Sequence, residues 1–134
     1  MKFLIRSLVA CASAIAAAAV LAPPANAAED PVYYSRETKA YSGYVTGAGE
    51  AYFQPYGEWL VIMDWSADGA GVRAYYSYNY GDWHSKTNTK GSSAGSMDVN
   101  LDYPEGKPFQ FYVCLEDEGL TIPQTCSATY KVLT

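Results

Sequence analysis

The chain has 134 residues, 49% of them hydrophobic and 15% aromatic, with nine basic against fourteen acidic side chains and a net charge of −5. An acidic balance with no basic cluster disfavours nucleic acid and anionic membrane surfaces as partners. The acidic residues are spread out, the densest group being Glu116-Asp117-Glu118, so no acidic tail is implied either.

Lys2 and Arg6 open the chain with a short basic segment, Leu8 to Leu21 is an almost unbroken alanine-rich apolar run, and Ala25-Asn26-Ala27 follows Pro23-Pro24. Small residues at −3 and −1 suit a signal peptidase, so residues 1–27 are expected to be a signal peptide cut before Ala28, and the mature protein to be secreted and extracellular. A spanning helix wants about 20 apolar residues and a stop-transfer pattern; Glu29 and Asp30 follow instead. Leu8-Val9-Ala10-Cys11 has the composition of a lipidation box, but only seven residues precede it, and Cys11 reads better as part of the apolar run. The mature chain of about 107 residues is sized for one domain, expected to be monomeric and free of the membrane.

Residues 28–40 are polar and lack a sustained period; they are expected to form an arm, although Val32-Tyr33-Tyr34 could add a short strand. Residues 41–134 read as strands between punctuators. Tyr41–Val45 and Glu50–Gln54 are separated by Gly47 and Gly49, and Pro55-Tyr56-Gly57 ends the second. Glu58–Trp65 is the strongest strand: Trp59, Val61, Met63 and Trp65 share one face, Leu60, Ile62 and Asp64 the other, which predicts a central rather than an edge position. Asp68-Gly69 is a reverse-turn signal, and Val72–Tyr80 is read as the antiparallel hairpin partner of that strand. Lys86–Gly95 has loop composition. Met97, Val99 and Leu101 alternate inward, Phe109, Phe111, Val113 and Leu115 face a core, and Thr125–Leu133 alternates again.

The mature segment retains Cys114 and Cys126, twelve apart. In an oxidising compartment an isolated pair is most simply a disulfide, worth roughly 3 kcal/mol for a loop of this size. A C-x-x-C redox site or a zinc knuckle needs other spacing and more ligands, and no cofactor is expected. Cys114 falls on the face opposite Phe111 and Val113, so the bridge either links outer surfaces or sits at a bulge or strand end. Six to eight short strands without a helical period predict an all-β domain, a small antiparallel β-sandwich in preference to a closed barrel.

His84, the only histidine, lies beside Trp83 without a nucleophile elbow in the sequence and reads as a surface residue. Asp64, Asp68 and Asp82 could converge as a carboxylate pair or as calcium ligands, but the spacing matches no dedicated loop, and Asp68 and Asp82 are explained by turns. Tyr75, Tyr76, Tyr78, Tyr80 and Trp83 crowd nine positions; rings left exposed among them would form a binding surface for a glycan or a protein. The loop Glu116–Thr125, pinned by the cysteines and containing Ile122-Pro123, has the form of a segment presented to an enzyme by an inhibitor.

Asp64-Trp65-Ser66-Ala67-Asp68-Gly69, the Phe111-Tyr112-Val113-Cys114-Leu115 strand and the late Cys126-Ser127 together resemble small secreted single-domain β-sandwich proteins of actinobacteria. The resemblance covers roughly Ser42 to Lys131 and implies the sandwich and the last crosslink, but no activity. Additional cysteines of that group, in the first hairpin and middle loop, have no counterpart here. The leading expectation is a non-enzymatic extracellular binding module that uses exposed aromatics. A secreted protease or hydrolase inhibitor and a small secreted hydrolase are the alternatives.

Overall fold

A computed structural model of the protein describes residues 33–134. The expected signal peptide, residues 1–27, and with it Cys11, lie outside the described residues. Nine strands form two antiparallel sheets: β1 (Tyr34–Glu37), β2 (Gly49–Gln54), β3 (Trp59–Asp64), β4 (Gly71–Tyr78), β5 (Trp83–Asn88), β6 (Met97–Asn100), β7 (Pro108–Asp117), β8 (Leu120–Ile122) and β9 (Tyr130–Leu133). The first sheet has the order β1-β2-β3-β6. The second has the order β5-β4-β7, with β8 and β9 end to end along the far edge of β7, against its last and first residues respectively. The fold is the predicted all-β sandwich with a C-terminal disulfide.

The alternation within each strand decides which side chains meet between the sheets. Ala51 and Phe53, Leu60 and Ile62 come from the first sheet; Val72, Ala74, Tyr76, Phe109, Phe111, Val113 and Leu115 come from the second, and all are buried. Phe53 and Phe109 stack across the interface with centroids 4.0 Å apart. The sheets approach closely at Gly49, where a Cβ would come within 2.6 Å of a Val72 methyl, so only glycine fits there. Asn88 ties the layers with a buried amide that donates to Ile62 O (3.0 Å) and Gly95 O (3.1 Å).

Four local expectations need correction. β3 and β4 are not a hairpin: β3 pairs with β2 and β6, and β4 with β5 and β7. The Asp64 and Asp68 carboxylates accept the Ser66 and Ala70 amides (3.1 and 2.9 Å), bending residues 65–70 into an arch from one sheet to the other. Both an arch and a hairpin reverse the chain, so the turn signal alone cannot separate them. β4 instead turns into β5 through Tyr78–Gly81, closed by Gly81 N–H to Tyr78 O (2.9 Å), with Asn79 and Tyr80 at φ of 49° and 58°, as a type I′ turn requires. Residues Lys86–Asn88, read as loop, therefore belong to β5.

Tyr41–Val45 is not a strand. Its Ser42-Gly43 turn leaves only a Tyr41–Tyr44 bridge. The last strand is shorter than expected, because Pro123–Thr125 form a 3₁₀ turn before Tyr130. The expected arm contributes β1, paired with β2. Cys114 and Cys126 form the disulfide, on the face of β7 away from the core and in the gap between β8 and β9. There Ser127 N–H donates to Val113 O (2.9 Å), so a non-strand segment continues the edge.

Candidate binding surface

The five rings singled out from the sequence are divided among three environments. Tyr76 lies in the core, 5% exposed, and is not available as a contact; burial pushes its phenol pKa up. Tyr78 also faces inward, stacking on Tyr103 at 4.2 Å, and its hydroxyl donates to Pro104 O at 2.9 Å. Tyr80 is exposed in the type I′ turn, with the Lys131 ammonium 5.2 Å from its ring centre. Tyr75 and Trp83 share the outer face of the second sheet, joined there by Tyr112 of β7.

Those three outer rings spend much of their surface on each other. Tyr75 and Tyr112 are cross-strand partners stacked at 4.8 Å and 12°, and Trp83 meets Tyr112 edge-on at 5.3 Å. The Tyr75 hydroxyl shares a 2.6 Å hydrogen bond with Thr121 Oγ1. Beside them Arg73 pairs with Glu116 and donates to Thr87 Oγ1 (2.9 Å) and Thr121 Oγ1 (3.1 Å). Thr87 Oγ1 in turn donates to Glu116 Oε2 at 2.9 Å. This face is cross-braced.

The candidate polar chemistry does not converge. Asp64 and Asp68 sit at the arch, whereas Asp82 follows the turn at the opposite end of β4, an eight-residue strand spanning about 27 Å. His84 is exposed on the edge strand β5 opposite Tyr76, four residues and about 13 Å from Asn88 at the arch end. Among the described residues no three or more His, Cys, Asp or Glu side chains are placed to hold a metal ion. No helix among them is long and apolar enough to cross a membrane. The loop Glu116–Thr125 is folded flat as the β7–β8 hairpin, and Thr125 Oγ1 accepts the Leu115 amide at 2.8 Å. That geometry weighs against its presentation as an inhibitory loop.

The outer face of the first sheet is different. Trp59, Val61, Met63 and Trp65 line it along β3, Glu50, Tyr52 and Gln54 along β2, and Tyr33 precedes β1. Trp59, Trp65 and Tyr33 are 38%, 57% and 53% exposed. The two tryptophans are six residues apart on one extended segment, about 20 Å. Register places Trp59 between Gln54 and Asn100, Val61 between Tyr52 and Asp98, and Met63 beside Glu50. Trp65 Nε1–H donates to Glu50 Oε2 at 2.9 Å, which orients that indole. Among the described residues neither of these two tryptophans enters a ring–ring pair, and each keeps part of its indole in solvent.

Tyr33 meets Tyr52 edge-on at 5.5 Å, and these two with Ser35 and Glu50 line a shallow groove of about 470 Å³. Burial, and then the neighbouring Asp98 carboxylate, push the Tyr52 phenol pKa up. The alternation of β3 was legible in the sequence, but not that its tryptophan row faces water. A usable signal was the residue type itself: tryptophan is seldom fully buried, whereas Leu60 and Ile62 are typical interior residues. Comparison with family models, with curated proteins and with solved structures finds no match to this chain.

Proposed function

We propose that the domain is a secreted, non-enzymatic binding module that holds a glycan along the outer face of its first sheet. Its export rests on the basic, apolar and small-residue pattern of residues 1–27. The observation that carries the binding reading is the pair of exposed, unstacked indoles of Trp59 and Trp65, set among Gln54, Asn100, Asp98 and Glu50 on one flat face. A sugar ring offers an apolar C–H face to an indole and a rim of hydroxyls to amides and carboxylates. Here both kinds of partner alternate across adjacent strands.

A protein partner is the second reading, favoured by the half-buried Met63 between the indoles, since Trp and Tyr anchors beside apolar contacts also mark protein interfaces. The test is a binding screen of residues 28–134 against soluble and insoluble polysaccharides, alongside capture from culture medium. Trp59→Ala and Trp65→Ala are each expected to weaken glycan binding at least tenfold, about 1.4 kcal/mol, with unchanged circular dichroism. Equal binding by both variants, with loss on Trp83→Ala or Tyr112→Ala, would move the site to the second sheet. Specific capture of a protein with no glycan bound would replace the ligand class.

A further inference from the structure

At the arch end of the sandwich, the 65–70 connection, the loop after β5 and the β7–β8 turn enclose a groove of about 610 Å³. Asp64, Ser66, Thr89, Lys90, Glu116 and Glu118 are among the side chains lining it, and glycine backbone forms much of the remaining wall. Asp64 belongs to the inward row of β3, opposite to the tryptophan row, and is only 4% exposed. Its Oδ1 accepts the Ser66 amide at 3.1 Å, while its Oδ2 is buried and has no hydrogen-bond partner. A buried polar atom left unmatched is rare in folded proteins and calls for an explanation. This one borders an open recess of mixed polar and apolar lining.

We propose that the groove is a second binding site, for a ligand that presents an ammonium group to Asp64 Oδ2. An ionised carboxylate oxygen only accepts, so the missing partner is a donor, and a charge-assisted bond is the stronger kind. The local charge selects a cation. Of the three carboxylates in the lining, Asp64, Glu116 and Glu118, Glu116 is already neutralised by Arg73; Asp68, outside the lining, lies close enough to Asp64 to help raise its pKa, after the larger effect of burial. Lys90 is the single ammonium in the lining, is not paired with Asp64, and acts as a like-charge competitor of the ligand.

Two features narrow the class further. No aromatic ring lines the groove, so it lacks the stacking platform that the proposed glycan face has. Among the described residues the acidic side chains do not converge in threes as a metal site would require, which favours an organic cation over calcium. The site is on the inner side of β3 and at its end, so it does not depend on the glycan reading.

The test uses 1,4-diaminobutane, with butane-1,4-diol as its uncharged counterpart and calcium chloride as a third probe, followed by backbone amide NMR of residues 28–134. The diamine is expected to shift the amides of Ser66, Lys90–Ser93 and Gly119, and the diol to leave them in place. Asp64→Asn should weaken diamine binding at least tenfold, and Lys90→Met should tighten it severalfold. The Asp64→Asn amide spectrum verifies its fold; if that variant does not fold, Glu118→Gln should give a smaller weakening. Equal shifts with diol and diamine, diamine affinity unchanged in Asp64→Asn, or a response to calcium alone would each overturn the proposal. Loss of glycan binding in Trp59→Ala with diamine binding retained would show the two sites failing separately.

Discussion

The two outer faces of this sandwich use aromatic residues in opposite ways. On the second sheet Tyr75, Tyr112 and Trp83 pack on one another beside the Arg73–Glu116 pair, and the disulfide crosslinks the same face. On the first sheet Trp59 and Trp65 stand apart, unpaired with other rings and partly exposed. A ring whose faces are filled by neighbours contributes to stability, whereas an exposed, preoriented ring is available for recognition. Counting aromatic residues therefore says little about function until it is known how many ring faces are already taken.

The largest effect should appear where the two sheets cease to differ. Phe53 and Phe111 are fully buried on opposite layers of one core. Truncating either to alanine should cost about 3–5 kcal/mol, measured as equal losses in urea unfolding. A much smaller loss for Phe53 would mean that the first sheet is a weakly coupled layer. Next, Cys114→Ala with Cys126→Ala should cost about 3 kcal/mol, while ligand binding at Trp59 and Trp65 survives wherever the domain stays folded. Calorimetry and binding run on the same variant would separate the stapled sheet from the one proposed to bind.

The division of strands into rows was legible in the sequence, the contrast between the two outer faces was not, and the difference has a physical reason. Period-two alternation correctly divided β3, β4 and β7 into inner and outer rows, because backbone geometry alone sets that division. Which row is inner depends on the partner sheet, and that is a long-range fact. Tyr76 and Tyr78 are candidates for exposure by pattern alone, but Tyr76 lies in the core beside Phe109 and Tyr78 stacks under Tyr103. The β3–β4 hairpin was misread for the same reason, since Asp68-Gly69 encodes a reversal and not its destination. The disulfide was legible because only two cysteines remain once the expected signal peptide is set aside.

A smaller effect is expected within the braced face. Arg73→Met removes the partner of the nearly buried Glu116 and should destabilise the domain by about 1–2 kcal/mol, a value lowered from that of a deeply buried pair because Arg73 keeps some solvent contact. The double variant Arg73→Met with Glu116→Leu should recover most of that loss in thermal unfolding. Trp59→Ala and Trp65→Ala, by contrast, should change stability by no more than about 0.5 kcal/mol, as exposed substitutions do, and still abolish most binding. A stability cost as large as that of Arg73→Met would mean that the indoles are structural, and the contrast between the faces would collapse.

The smallest effect is a pH dependence at the inner end of β3. Burial raises the Asp64 pKa above the ordinary aspartate range, Asp68 adds to the rise, and the Ser66 amide opposes it. The folded state then holds that proton more tightly than the unfolded chain does. By linkage, Asp64 disfavours folding once the pH exceeds its folded-state value, and the penalty fades as the pH falls through that value towards the unfolded one. Asparagine keeps the oxygen that accepts the Ser66 amide and carries no charge. Asp64→Asn should therefore be more stable than wild type near neutrality, with the gap narrowing as the pH falls and gone by about pH 4. Glu58, also raised by burial and then by Glu105 and Asp102, contributes in the same sense to both proteins and cancels in the difference. A gap that stays constant between pH 4 and pH 7 would show that Asp64 gains its stabilisation from a partner in the groove, or that its carboxylate is solvated there.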